Sequence, residues 1–191
     1  MIYVLQVQTG KELTVRAQLL RDGISADVPR ERIIIRKGGL WSKMIKNLFP
    51  GYVFVDINYT PEMFHKINPV SGVIRFLGNP TSLPEHEAEM IRWLSNGGEV
   101  IEPSEVRIAD GDPLYSGFLA GHEDKITYLN PRQKKARIEV RFGGKVHRAN
   151  LSVFPTPKGH TIIKWENPAL NGVFPVLVHN EEFLVRKRFF K

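Results

Sequence analysis

Six histidines, His65, His86, His122, His147, His160 and His179, are the side chains of this 191-residue chain best suited to metal ligation or proton transfer near neutral pH. Their spacing suits neither task. No two stand at the separation of a His-Glu-x-x-His zinc helix, and His86-Glu-Ala-Glu89 reads more simply as a solvated helix face. The absence of cysteine removes a thiolate nucleophile, a disulfide framework and any Cys-ligated zinc or iron–sulfur site. Neither a Gly-x-Ser-x-Gly elbow nor a phosphate-binding Gly-x-x-x-x-Gly-Lys loop occurs. Glu181 and Glu182 are adjacent, and on a strand they point to opposite faces, which does not suit joint acid–base work. The residue types therefore point to no catalytic centre, no metal and no cofactor.

Basic residues carry more information. The chain holds 27 Lys and Arg against 20 Asp and Glu, a net charge of +7 that is unevenly placed. Residues 1–97 hold 12 basic and 9 acidic side chains, whereas residues 98–124 set Arg107 against seven carboxylates. Residues 125–154 then carry Lys125, Arg132, Lys134, Lys135, Arg137, Arg141, Lys145 and Arg148 against Glu139 alone. A single-sign patch on so short a stretch is what a polyanion partner requires. A solvated surface is the competing reading. No aromatics interleave this run at stacking positions, which argues against a binder of single strands.

The elements that must position these residues follow from periodicity and punctuation. Ile2–Gln8 alternates as a strand; Thr9 offers a helix cap, and Leu13, Ala17, Leu20 and Ile24 recur at helical spacing up to a stop at Asp22-Gly23. Val28–Lys37 reads as a second strand, followed by a basic loop with Lys43 and Lys46, and 52–57 reads as a third. Thr60-Pro61 opens a short helix, 72–77 is a fourth strand, and Ser82–Glu85 has the form of a capping box before a helix ending at Asn96-Gly97-Gly98. The order β-α-β-β-α-β plus a helix is the ferredoxin-like arrangement, an antiparallel sheet with helices on one face. The expected class is α+β, with this unit over residues 1–96, a linker over 97–106 and a small β-barrel over 107–154.

Within the barrel, 125–129, 136–142 and 145–151 read as strands, with turns at Asn130-Pro131 and Gly143-Gly144. Alternation places Ile138, Val140 and Phe142 in the core and Arg137, Glu139 and Arg141 outside. Residues 155–191 form a C-terminal extension, strand-like but broken by Pro168 and Pro175, with no role assigned. The start of the chain does not read as a signal peptide, and no run approaches the roughly 18 apolar residues of a membrane span. A cytoplasmic monomer is expected.

Three motifs carry a resemblance: Tyr3–Glu12 ahead of a helix, Leu48-Phe-Pro-Gly-Tyr-Val-Phe-Val55 leading a strand, and Gly72-Val-Ile-Arg-Phe-Leu-Gly78 after a short helix. Together they closely resemble the N-terminal (NGN) domain of the NusG family of transcription elongation factors, over roughly residues 2–95. Residues 106–151, through Asp110-Gly-Asp112, Ser116–Gly121 and the strand before Gly143-Gly144, resemble the family's KOW domain. The extension beyond residue 154 departs from the family. The basic second module and Gly117–Glu123 look most like the specialised antitermination branch, LoaP.

The resemblance implies a regulator, not an enzyme. Phe49, Tyr52 and Phe54 would lie on an apolar patch that meets the clamp helices of RNA polymerase's largest subunit. Core packing is the competing reading for Tyr52 and Phe54, which lie two apart on one strand face. His65 and Lys66 match the region that approaches the opposite jaw of the polymerase. Lys11 and Arg16 are candidates for upstream DNA, with a solvated helix face as the alternative. On the barrel, Lys134, Lys135, Arg137, Arg141, Lys145 and Arg148 are the candidates for a nascent RNA hairpin, phosphate contacts supplying most of the affinity. The implied function is processive antitermination. The alternative is a housekeeping NusG-type factor, or a ribosome-associated KOW protein whose barrel meets a ribosomal protein.

Overall fold

A four-stranded antiparallel sheet in the order β2-β5-β1-β6 organises the first half of the chain. Its strands are β1 (Ile2–Val7), β2 (Ser25–Asp27), β5 (Tyr52–Asp56) and β6 (Val73–Phe76). The computed structural model describes residues 1–37, 40–78, 81–109, 112–156, 160–167 and 172–179. Alternation along β1 sends Tyr3, Leu5 and Val7 to one face and Ile2 and Val4 to the other, and all five are buried. Helices therefore cover both faces rather than the expected one. α1 (Glu12–Arg21) and α2 (Pro61–Ile67) pack with Leu5, Val53 and Val55, whereas α3 (Glu85–Ser95) places Ala88, Ile91 and Leu94 against Ile2, Val4 and Phe54.

Several local expectations change. In α1 the buried pair is Val15 and Leu19, one turn apart, while Leu13 and Leu20 are exposed and Ile24 lies beyond the helix. Thr9 does not cap it. The N-cap is Lys11, no side chain caps the helix, and the Glu12 carboxylate instead accepts from the Gly10 amide at 2.9 Å and the Gly51 amide at 2.6 Å, tying the start of α1 to the turn before β5. At α2 the expected cap is present: Thr60 Oγ1 accepts from the Met63 amide at 3.2 Å, with Pro61 beginning the helix. At α3 it is not, since Pro84 is the N-cap and no side chain caps the helix.

Residues 40–47 are not a loop. They form β4 (Leu40–Asn47), which pairs with β3 (Arg30–Lys37) in an antiparallel ribbon outside the main sheet. The strand expected at 28–37 is thus part of that ribbon, and Ser25–Asp27 takes its place in the sheet. Gly38-Gly39 lies outside the described residues. The stretch expected as a linker is held down: Ile101 bridges to Glu31, and Arg32 Nε donates to Glu102 Oε1 at 2.6 Å.

The second half forms a five-stranded sheet, β8-β7-β11-β10-β9. It comprises β7 (Ser104–Ala109), β8 (Asp112–Ser116), β9 (Tyr128–Asn130), β10 (Lys135–Phe142) and β11 (Lys145–Thr156). The strand expected from Lys125 starts later, because residues 123–125 form a single helical turn. β7 and β11 run parallel, and β8 and β9 remain edges, so this is a half-barrel and not a closed one. Its concave apolar face (Ala136, Ile138, Val140, Phe142, Ala149, Leu151 and Val153) merges with the α3 side of the first sheet into one core. Beyond it β12 (His160–Asn167) and β13 (Gly172–His179) pair as a hairpin, with Pro175 inside β13 opposite Lys164. Pro168 and residues 180–191 lie outside the described residues.

Candidate functional site

The turn Leu48–Gly51 and strand β5 carry the aromatic patch expected to meet a partner. In this structure that patch is covered. Phe49 is 4% exposed and Phe54 2%, with Tyr52 partly buried. Their cover is the β10–β11 hairpin of the half-barrel. The Phe142 ring lies 5.5 Å from Phe49, 5.0 Å from Tyr52 and 5.5 Å from Phe54, each nearly edge-on. His147 stacks flat on Phe142 at 3.6 Å and meets Tyr52 edge-on at 5.2 Å. Edge-to-face packing of this kind is favourable beyond the area it buries. The hairpin turn is tight against the first unit: Gly143 has φ +58°, and a Cβ there would overlap the Leu77 side chain.

Polar contacts lock the same interface at its rim. Glu31, 3% exposed, accepts from the Ser152 amide at 2.9 Å and the Ser152 hydroxyl at 3.1 Å. Burial pushes the Glu31 carboxyl up; the Ser152 hydrogen bonds and the charges of Lys46 and Lys135 oppose this. Glu87 of α3 accepts from the Arg141 amide at 2.9 Å. On the far side Trp93 of α3 stacks on Phe118 at 4.7 Å, with His122 at 4.9 Å and the Lys125 ammonium 5.6 Å above its ring. Burial pushes the His147 imidazole down; its hydrogen bond with the Phe142 backbone works against that, and the Lys145 charge adds to it.

The basic candidates divide by register. β10 sends Lys135, Arg137, Glu139 and Arg141 outward, opposite Ser152, Asn150, Arg148 and Val146 of β11. Lys135, Arg137, Arg141 and Arg148 therefore share the convex face, where Arg148 pairs with Glu139 at 3.1 Å. Lys134 sits in the preceding turn at φ +55°, its ammonium 5.7 Å above Phe154. Lys145 stands apart, opposite the inward-facing Phe142. The expectation that no aromatic joins this run changes as well: β9 places Tyr128, 50% exposed, directly opposite Arg137.

The other candidates are scattered. His65 is exposed and touches Phe64, and the exposed Lys66 ammonium donates to the Asp22 carbonyl at 2.6 Å. Lys11 is exposed at the start of α1. Arg16 is not displayed for a polyanion: its Nε donates to the Ala26 carbonyl at 3.0 Å and its Nη2 lies 3.6 Å from Asp27. Sequence reasoning missed Glu31, Glu87, Trp93, His147 and Tyr128. All but Tyr128 act through a partner distant in sequence, and the only local signal was an acid inside an otherwise apolar or basic strand, as at Glu31. Among the described residues no cluster of His, Asp and Glu could hold a metal ion, and no helix is long and apolar enough to cross a membrane.

The family pattern described as "Transcription termination factor nusG" matches residues 2–92. The "Transcription termination/antitermination protein NusG" of Lactococcus lactis is 30% identical over 145 residues, 67% of this chain and 77% of the relative. The protein of the same description from Streptococcus pyogenes serotype M1 is 26% identical over 160 residues, covering 75% of this chain and 88% of the relative. Among solved structures, "Domain interaction in Thermotoga maritima NusG" covers 79% of this chain and 92% of that one, at 20% identity and a TM-score of 0.46.

Proposed function

Because the chain belongs to the NusG family of transcription termination/antitermination factors, we propose that it is an elongation regulator that docks on RNA polymerase and promotes processive antitermination. The aromatic patch of Phe49, Tyr52 and Phe54 is the docking surface, and the clamp helices of the largest subunit are its partner. The observation that carries this is the patch itself: three aromatics on one turn and strand, each meeting Phe142 of a separate sheet edge-on, with His147 of that sheet against Tyr52. Aromatic area of this kind dominates protein interfaces once uncovered. The half-barrel swings away when polymerase takes its place. His65 and Lys66 lie exposed at the end of α2, available to the opposite jaw, and Lys11 is the remaining candidate for upstream DNA. The convex face with Lys135, Arg137, Arg141 and Arg148 holds a hairpin of nascent leader RNA, largely through phosphates.

The test is terminator read-through in purified transcription, on templates with and without a leader hairpin. Read-through that needs both the chain and the hairpin, and falls with Tyr52→Ala, is the expected result. A second reading is a housekeeping factor whose half-barrel meets a ribosomal protein, favoured by the general termination/antitermination names of its relatives. Read-through or pausing effects indifferent to the leader would select it.

A further inference from the structure

A single cross-strand row on the convex face combines three side chains that recognise a flat heterocycle. Tyr128 of β9 stands opposite Arg137 of β10, which stands opposite Asn150 of β11. The Tyr128 ring is 50% exposed, with the Arg137 guanidinium carbon 5.1 Å from its centre. Arg137 Nε is shielded from solvent and has no hydrogen-bond partner. Such a shielded, unpartnered donor is rare in folded proteins; among the described residues Arg30 Nε shares it. Lys135 lies one step along the same face, next to Arg137 on β10.

Resting on the reading that the half-barrel binds RNA, we propose that the Tyr128–Arg137–Asn150 row is a site for one unpaired RNA base. The base stacks on the open face of Tyr128, whose other face is backed by the Arg137 guanidinium, and Lys135 takes the adjoining phosphate. A paired stem offers no free base face to an exposed ring, whereas a loop or bulge does, and sequence-specific RNA recognition works mainly on such splayed bases. The site thus separates shape-blind phosphate attraction, spread over the convex face, from selection at one position.

The experiment uses the full chain and RNAs sharing one stem: a blunt duplex, and stem-loops whose loops are all A, all C, all G or all U. The stem-loops are expected to bind roughly tenfold tighter than the blunt duplex, whichever base fills the loop. Tyr128→Ala is expected to erase that difference, and Tyr128→Phe to keep it. Lys135→Ala should weaken both RNAs alike. If Tyr128→Ala retains the preference for the loop, or if no loop is preferred by the unaltered chain, the base site is wrong and RNA binding by the half-barrel stands. If the unaltered chain binds none of these RNAs at physiological salt, the site and the reading beneath it fall together.

Discussion

Glu31 is a buried carboxylate whose two hydrogen bonds both come from Ser152, more than a hundred residues away. Removing it leaves the partly buried Ser152 amide without its acceptor, so Glu31→Ala is expected to weaken docking by about 1–3 kcal/mol. Glu31→Gln keeps an acceptor oxygen without the charge that burial disfavours, and should lose less; protection of the β10–β11 amides from hydrogen exchange would compare the two. On the convex face Arg137→Ala and Arg141→Ala should each lower RNA affinity and flatten its dependence on log salt by roughly 0.7 to 0.9 for each phosphate left without its cation. A titration across salt concentrations checks this. The inward and outward sides of β10 were legible in its sequence, because Ile138, Val140 and Phe142 alternate cleanly with charged residues. The partner of Arg137 was not: Tyr128 meets it only through the register of a turn at residues 131–134, which no local pattern specifies.

At the scale of elements, the β10–β11 hairpin is where pH should act. His147 sits between Phe142 and Tyr52, and the charged group acting on it is Lys145 of its own strand; Tyr52 of β5 is the titratable side chain facing it from the first unit. Its imidazole is held below the ordinary range in the docked arrangement, mainly by burial. Docking is therefore at full strength above the ordinary imidazole range and is lost as pH falls through it toward the depressed value. Lowering pH from about 8 toward 5 is expected to loosen the hairpin, reported by the fluorescence of Trp93 as its stack on Phe118 opens. His147→Phe should flatten that response. Ribbon β3–β4 was only half legible for a physical reason. Neither face joins the main sheet, and exposed Met44 and Ile45 give β4 no clean alternation, so it reads as a basic loop. Strand β2, three residues long, is too short to show a period.

At the scale of the whole molecule, the sequence separates two surfaces that the structure joins. An apolar patch before residue 80 and a basic strip after 125 were both visible in the sequence; that one sheet covers the first while presenting the second outward was not, because Phe142 looks like any core residue in its own strand. The central claim is that the covered aromatic patch is the polymerase-binding surface and must open to work. A chain without cysteine allows a direct test. Glu31→Cys with Ser152→Cys sets one thiol on each side of the interface, away from the patch, and a short bis-methanethiosulfonate linker, spanning the length lost with the glutamate side chain, locks the half-barrel in place until it is reduced. Binding of this doubly substituted chain to RNA polymerase would be measured crosslinked and after reduction. The account predicts little binding when locked and recovery on reduction; equal binding in both states would contradict it.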